Sequence, residues 1–376
     1  MIVAPRVLLV GHDASTTGVP VSALAWARWA ARTGAAEVEV HLDRGGPLVD
    51  GFAAVAPTRV RSSSGRRLVT AADAAAGAAG SRRIRRVAAF PARRGVHAEA
   101  TVVAASVAAW RSAAALARPG RLVLWLHELD GVADRVVAPD ERPALLAATR
   151  SIVAVSDRVA EMVVERWGVE PERVSVVGSF TDPPTDAAAP DGGPPRPDVL
   201  AVGSLVPRKG AEHVVALVAL LARDRAGLRA AWVGGDRSGP YADLIRTDVT
   251  AAGLGAVLTL PGEVADVEPW WPTAGVVVHL AREDPAPLVA LEAGLRAIPV
   301  VTWDTGGAAD LLRRAGLDDL VAAPGDLVAV ADAVARLLDD GSARAAAGAA
   351  LRTAAAERTT ERLAPALLDA ILGGTT

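Results

Sequence analysis

Cysteine, asparagine and glutamine are absent from this 376-residue chain, and lysine occurs once, at Lys209. The missing cysteine excludes disulfides and thiolate metal sites, while leaving the compartment open. No run of 18 uninterrupted apolar residues occurs, so no spanning helix is expected. The segment Met1–Val10 lacks the basic region and cleavage site of a secretory signal and reads as a first buried strand. A cytoplasmic protein is the expectation. Three further patterns are missing. No Asp-x-Asp pair or His cluster offers metal-ligand spacing. The first turn, His12-Asp-Ala-Ser-Thr-Thr-Gly18, lacks the Gly-x-Gly-x-x-Gly dinucleotide fingerprint, and no Gly-x-Ser-x-Gly elbow marks a hydrolase.

What is present is a hydrophobic content of 51%, spread evenly, in a chain long enough for two ordinary domains. The net charge of −3 hides a division. Residues 1–181 hold 23 Arg against 17 acids, a balance of +6, and residues 182–376 hold 17 basic against 26 acidic residues, a balance of −9. Apolar β-rich runs alternate with Ala-rich helical stretches, the pattern of parallel sheets covered by helices. Strands are expected near Arg6–Gly11, Glu37–Leu42, Thr101–Ala105, Arg121–Leu126 and Ser151–Val155. After the linker they resume near Asp198–Val202, Ala230–Val233, Val257–Leu260, Gly275–His279, Ile298–Thr302 and Leu320–Ala322. Six prolines between Thr181 and Pro197 allow neither helix nor central strand and mark that linker, at 182–197. The expected organisation is an α/β protein of two doubly wound, Rossmann-like domains, 1–181 and 198–376, facing a central cleft. The last helix is a candidate to return to the first domain. Ligands of such sheets bind beyond the carboxyl ends of the strands.

Ten arginines and one acid crowd Arg59–Arg94. The stretch reads as a solvated basic face or as a contact for an anionic membrane or acidic acceptor. It lacks the interleaved aromatics of a nucleic-acid surface, so no nucleic-acid partner is expected.

Two segments carry chemistry. In Asp198–Gly210 an apolar strand leads through Arg208-Lys209 into a helix near Ala211–Arg223, so both cations sit by a helix N-terminus, where an anion is favoured. Lys supplies a compact ammonium where the rest of the chain uses Arg throughout, which suits a phosphate contact. In His279–Gly294 a strand ends at His279, an acidic loop with Glu283 and Asp284 follows, and Pro287 stands at the start of a helix carrying Glu292 among Leu288, Val289 and Leu291. A carboxylate in apolar surroundings needs a partner. Either Arg296, four residues on, or a pair of ligand hydroxyls such as a ribose diol would serve.

Taken together these segments resemble the retaining GT-B glycosyltransferases of family four, the glycosyl transferases group 1. Val202–Gly210 resembles that family's phosphate-binding turn, and Arg282–Ala293 its acidic donor motif, here running from Asp284 to Glu292. Thr16–Pro20 resembles the loop that approaches the diphosphate, Trp125–Leu129 the strand end with an active-site histidine at His127, and Ile298–Gly307 the following strand and Gly-Gly turn. The family often has Arg where this chain has Ser204, and Glu where it has Asp284.

The resemblance implies a metal-independent hexosyltransferase that takes a sugar from a nucleoside diphosphate donor, with retention, to an unidentified acceptor hydroxyl or amine, needing no cofactor. His127, Arg208, Lys209 and Asp284 would form the catalytic set. Gly18, Ser204, Glu283, Pro287, Leu288, Val289 and Glu292 would join the two cations and Asp284 in holding the donor. The first domain would take the acceptor and the second the nucleotide sugar. A phosphorylase, a nucleotide-sugar epimerase and a non-catalytic sugar-nucleotide-binding subunit on the same scaffold remain open readings.

Overall fold

A computed structural model describes residues 4–62, 65–69, 99–184, 196–264 and 266–373. The chain forms two compact units, one of Met1–Asp182 with Thr360–Thr376 and one of Pro183–Thr359. Most of the proline-rich stretch at 182–197 lies outside the described residues, as does most of the arginine-rich stretch at Arg59–Arg94.

The first unit is built on an eight-stranded sheet in the order β4-β3-β2-β1-β5-β6-β7-β8. Its strands are β1 (Arg6–Gly11), β2 (Glu37–Leu42), β3 (Thr58–Ser62), β4 (Gly65–Val69), β5 (Thr101–Ala104), β6 (Leu122–Leu126), β7 (Thr149–Ala154) and β8 (Val174–Val176). All neighbours run parallel except the β3–β4 hairpin at the edge. The helices are α1 (Gly18–Thr33), α2 (Val49–Val55), α3 (Trp110–Leu116), α4 (Asp130–Val136), α5 (Arg142–Ala148) and α6 (Asp157–Trp167). Sequence dictates the layering. β5 and β6 read Thr-Val-Val-Ala and Leu-Val-Leu-Trp-Leu and are buried along their whole length, as strands covered on both faces must be. Helix α1 ends at Gly34, whose φ of +69° is the left-handed cap that glycine adopts without strain.

Strand β3 shows why its segment escapes a reading by apolar runs. Thr58 is buried while Arg59 pairs with Glu39 and lies 3.0 Å from His41 Nε2. Arg61 approaches Asp43 at 3.8 Å. These two arginines of the basic stretch are thus engaged with acids of their own unit.

The second unit carries a six-stranded parallel sheet in the order β11-β10-β9-β12-β13-β14. Its strands are β9 (Val199–Val202), β10 (Ala230–Val233), β11 (Leu258–Gly262), β12 (Val276–His279), β13 (Val300–Trp303) and β14 (Val321–Ala322). The helices are α7 (Ala211–Asp224), α8 (Pro240–Ala251), α9 (Leu288–Leu295), α10 (Gly307–Arg314), α11 (Leu327–Asp339) and α12 (Gly341–Ala356). Asp326 and Asp340 cap α11 and α12 by accepting first-turn N–H groups. The final helix, α13 (Thr360–Leu372), belongs to the first unit. It buries Ala364, Leu367 and Ile371, and its first residue donates to the Thr181 carbonyl at 3.1 Å.

Strand order reverses between β1 and β5 in one sheet and between β9 and β12 in the other. Those two switch points are where a doubly wound sheet opens a crevice for ligands. No helix among the described residues is long and apolar enough to cross a membrane.

Candidate active site

At the second unit's switch point the loops after β9 and β12 are fastened to each other. The first makes a single 3-10 turn, Pro207–Lys209, and enters α7 through Gly210, whose φ is +71°. A Cβ at Gly210 would stand 2.3 Å from the Leu280 carbonyl oxygen, so only glycine lets the loops approach this closely. Arg282 donates its backbone N–H to Arg208 O at 2.9 Å and its Nη1 to Pro207 O at 2.6 Å. Arg208 Nη1 answers with a 2.6 Å bond to Glu283 O. The Arg282 guanidinium also pairs with Glu212 at 2.5 Å.

The Lys209 ammonium donates to Asp284 Oδ2. Behind the same oxygen lies His279 Nε2, 3.3 Å away, in contact without an aligned hydrogen bond. Asp284 is 8% exposed. Burial would raise its carboxyl, but Lys209, His279 and Arg208 together hold it well below the usual carboxylate range. His279 is pushed down by burial, against the pull of Asp284 and with the push of Lys209 and Arg208. The cluster comprises two basic side chains, one carboxylate and an imidazole. A third segment supports it from the other side. Gly307 N donates to Asp284 O at 3.0 Å, and Cβ atoms at Gly306 and Gly307 would lie 1.9 and 2.3 Å from the Asp284 and Pro285 carbonyl oxygens.

Helix α9 begins at Leu288, with Pro287 at the cap position rather than inside the first turn. The first-turn residues Leu288 and Val289 have no side-chain cap over their N–H groups. Glu292 is half-buried, and no side chain among the described residues pairs with its carboxylate. Burial pushes that carboxyl up to about 7, with Arg296 opposing and Glu268 adding to the rise. Arg296 does not make the expected i,i+4 ion pair. It donates Nη1 only to the Glu292 backbone oxygen, at 2.9 Å, and gives its Nη2 to both Glu268 oxygens at 2.6 Å.

The first unit's switch point is built differently. Gly18 opens α1 after the β1 loop and is exposed, and Thr17 leaves that helix without a side-chain cap. His127 follows β6 directly, its ring 4.5 Å from Trp125. Its Nε2 is buried with no hydrogen-bond partner among the described residues. Burial, reinforced by His12, pushes the imidazole down to about 3. The next residue, Glu128, is buried and accepts from Ser106 Oγ at 2.5 Å, Val107 N at 3.2 Å and His127 N at 3.1 Å. Its carboxyl is pushed up by burial, against those bonds and His12.

Arg208, Lys209, Glu283, Asp284, Pro287, Leu288 and Val289 therefore converge on one switch point, with Ser204 in the same β9 loop and Glu292 on the adjoining helix. His127 and Gly18 belong to the other unit. Sequence reasoning passed over His279, Arg282 and Glu268 in one unit, and Glu128 with Ser106 in the other. For His279 a signal existed, since it is the one polar residue of an otherwise apolar strand. Nothing in spacing pointed to Glu268, which is 28 residues from its partner. Among the described residues no group of three or more His, Cys, Asp or Glu could hold a metal ion.

Residues 196–340 match the family model described as glycosyl transferases group 1. Over 251 residues the chain is 30% identical to a D-inositol 3-phosphate glycosyltransferase from Catenulispora acidiphila, covering 58% of each chain. Over 166 residues it is 32% identical to a GDP-mannose-dependent phosphatidylinositol monomannoside mannosyltransferase from Mycobacterium tuberculosis, covering 42% of each. An exopolysaccharide phosphotransferase from Streptomyces coelicolor is 27% identical over 53% of this chain and 21% of its own. The chain thus spans between 21% and 58% of the length of these curated relatives. Anabaena HepE, solved with UDP and glucose, superposes with a TM-score of 0.76 at 18% identity over 97% of this chain and 99% of that one. The lipopolysaccharide glycosyltransferase WaaG superposes with a TM-score of 0.71 at 17% identity over 98% and 100%. The chain has the GT-B fold, and the match to the glycosyl transferases group 1 model falls within its second unit.

Proposed function

We propose that this protein is a glycosyltransferase that moves a sugar from a nucleoside diphosphate to an acceptor hydroxyl or amine, with retention and without a divalent metal. The observation that carries the reading is the meeting of Lys209 with Asp284 and of Arg208 with the Glu283 carbonyl at the second unit's switch point. Two cations there can neutralise the leaving diphosphate, together with the uncapped N–H groups of Leu288 and Val289. Glu292 offers its unpaired carboxylate to a ribose diol. Asp284, kept ionised and fixed by Lys209, is placed to accept from hydroxyls of the transferred sugar. His127, neutral and with an unpartnered Nε2, meets the transferred sugar or the acceptor from the first unit. Retention follows if the acceptor attacks from the face the diphosphate leaves, a phosphate oxygen taking its proton. The protein then mainly positions groups and stabilises charge. The arginine-rich stretch, apart from its engaged Arg59 and Arg61, is proposed to face an anionic acceptor or membrane. Support for the transferase reading comes from the matched domain and from the glycosyltransferases among the relatives.

The test is release of nucleoside diphosphate that requires an acceptor and is unaffected by a chelator. Turnover abolished by EDTA and restored by Mg²⁺ or Mn²⁺ would remove the metal-independent mechanism. The relative named a phosphotransferase gives a second reading its observation. Transfer of a phosphosugar would release nucleoside monophosphate, and product analysis separates the two.

A further inference from the structure

Glu292 in α9 and Arg296 at its C-cap stand four residues apart, the spacing at which opposite charges pair across one helical turn. Here they do not pair through their side chains. The Arg296 guanidinium lies over the buried Trp271 ring, 5.1 Å from its centre, and both oxygens of Glu268 accept from its Nη2 at 2.6 Å. Glu268 opens the 3-10 segment Glu268–Thr273, stiffened by Pro269 and Pro272 and anchored by buried Trp270 and Trp271. Arg296 is therefore held between a fixed carboxylate and a fixed aromatic face.

We propose that Glu268 and Arg296 are positioning residues whose pairing draws the arginine away from Glu292 and keeps that carboxylate open to ligand hydroxyls. The inference rests on the reading of Glu292 as the acceptor for a ribose diol. If Arg296 were released, the nearest anion on its own helix would be Glu292, and a closed Glu292–Arg296 pair would compete with the diol. Burial pushes the Glu292 carboxyl up, and the charge of Glu268 adds to the rise while Arg296 opposes it, as expected for a carboxylate denied its helical neighbour.

Binding isotherms for UDP, GDP and ADP at pH 8 test this, compared on whichever binds the wild-type chain most tightly. Glu268→Ala should weaken binding about tenfold. The double variant Glu268→Ala/Arg296→Met, which keeps an apolar stem over Trp271 but has no charge to close on Glu292, should return affinity to within about threefold of wild type. Wild-type affinity in Glu268→Ala overturns the inference, and so does a double variant as weak as the single one. Wild-type affinity in Glu292→Gln would instead remove the diol reading beneath it. A measurement without ligand runs in parallel, the NMR titration of the Glu292 carboxyl. Its midpoint should fall by at least one pH unit in Glu268→Ala and recover in the double variant, and an unmoved midpoint overturns the proposal.

Discussion

The loops beyond the strand ends carry opposite electrostatics in the two units, after β9 and β12 in the second and after β6 in the first. In the second unit formal charge is abundant and mutually satisfied: Lys209 on Asp284, Arg208 on the Glu283 carbonyl, Arg282 on Glu212. In the first unit the residues after β6 are withdrawn from charge. His127 is pushed down to about 3 and its Nε2 has no partner among the described residues, and Glu128 is tied to Ser106 and two backbone N–H groups. A ready-made array of cations suits a ligand that carries its own fixed charge. A neutral imidazole with a free nitrogen suits a hydroxyl whose bonds change during reaction. On the proposed function, the diphosphate would bind at the second unit and help at the reacting centre would come from the first.

That division is most exposed at His127. His127→Ala should leave nucleoside diphosphate affinity nearly intact while lowering transfer by about 10²–10⁴-fold, the usual worth of a well-placed proton-handling or polarising group. Steady-state kinetics beside a binding isotherm decide it, and equal loss in both would erase the contrast. Arg208→Ala should do the reverse, weakening diphosphate binding by about 1.5–3 kcal/mol through loss of a charge-assisted contact. Unaltered affinity with slowed turnover would move Arg208 out of the binding set.

The contrast recurs within one segment, between Asp284, held ionised by its partners, and Glu292, raised to about 7 with no side-chain partner among the described residues. A carboxyl whose folded-state value lies above its unfolded one contributes stability at acid pH that is lost as pH rises through the folded value. Glu292→Gln should therefore be more stable than wild type at pH 8, on the order of 1–2 kcal/mol given partial screening by solvent. The difference should fade below about pH 4.3. Denaturant melts at both pH values check this, and a destabilised Glu292→Gln at pH 8 would mean the carboxylate has a structural partner. The smallest effect belongs to Ala297, which holds φ at +56° just past the end of α9. Ala297→Gly should raise stability by about 0.5–1 kcal/mol and leave donor binding unchanged, separating the helix end from the site.

Continuous apolar runs made the central strands legible, because burial on both faces leaves only one kind of residue there. Val276–His279 and Val300–Trp303 lie within a residue or two of where that pattern puts them. The edges of the first sheet were not legible. β3 alternates Thr58-Arg59-Val60-Arg61, with its arginines turned to Glu39 and Asp43, so it reads as a basic surface until the neighbouring strands are in view. In the site, Arg208, Lys209 and Asp284 were visible because a strand–turn–helix junction declares itself locally. The Glu268–Arg296 pair was hidden, since local spacing proposed Glu292 as the partner and only the packing of the Trp270–Trp271 turn redirects the arginine.

One experiment bears on the central claim directly: isotherms for UDP, GDP and ADP with wild type, Lys209→Met and Asp284→Asn. Lys209→Met removes the ammonium and keeps the stem, whereas Asp284→Asn frees the ammonium by taking away its anion. If the second unit's switch point holds the diphosphate, affinity falls at least tenfold, about 1.4 kcal/mol, in Lys209→Met. In Asp284→Asn it holds or rises. Equal affinity in wild type and Lys209→Met would contradict the account.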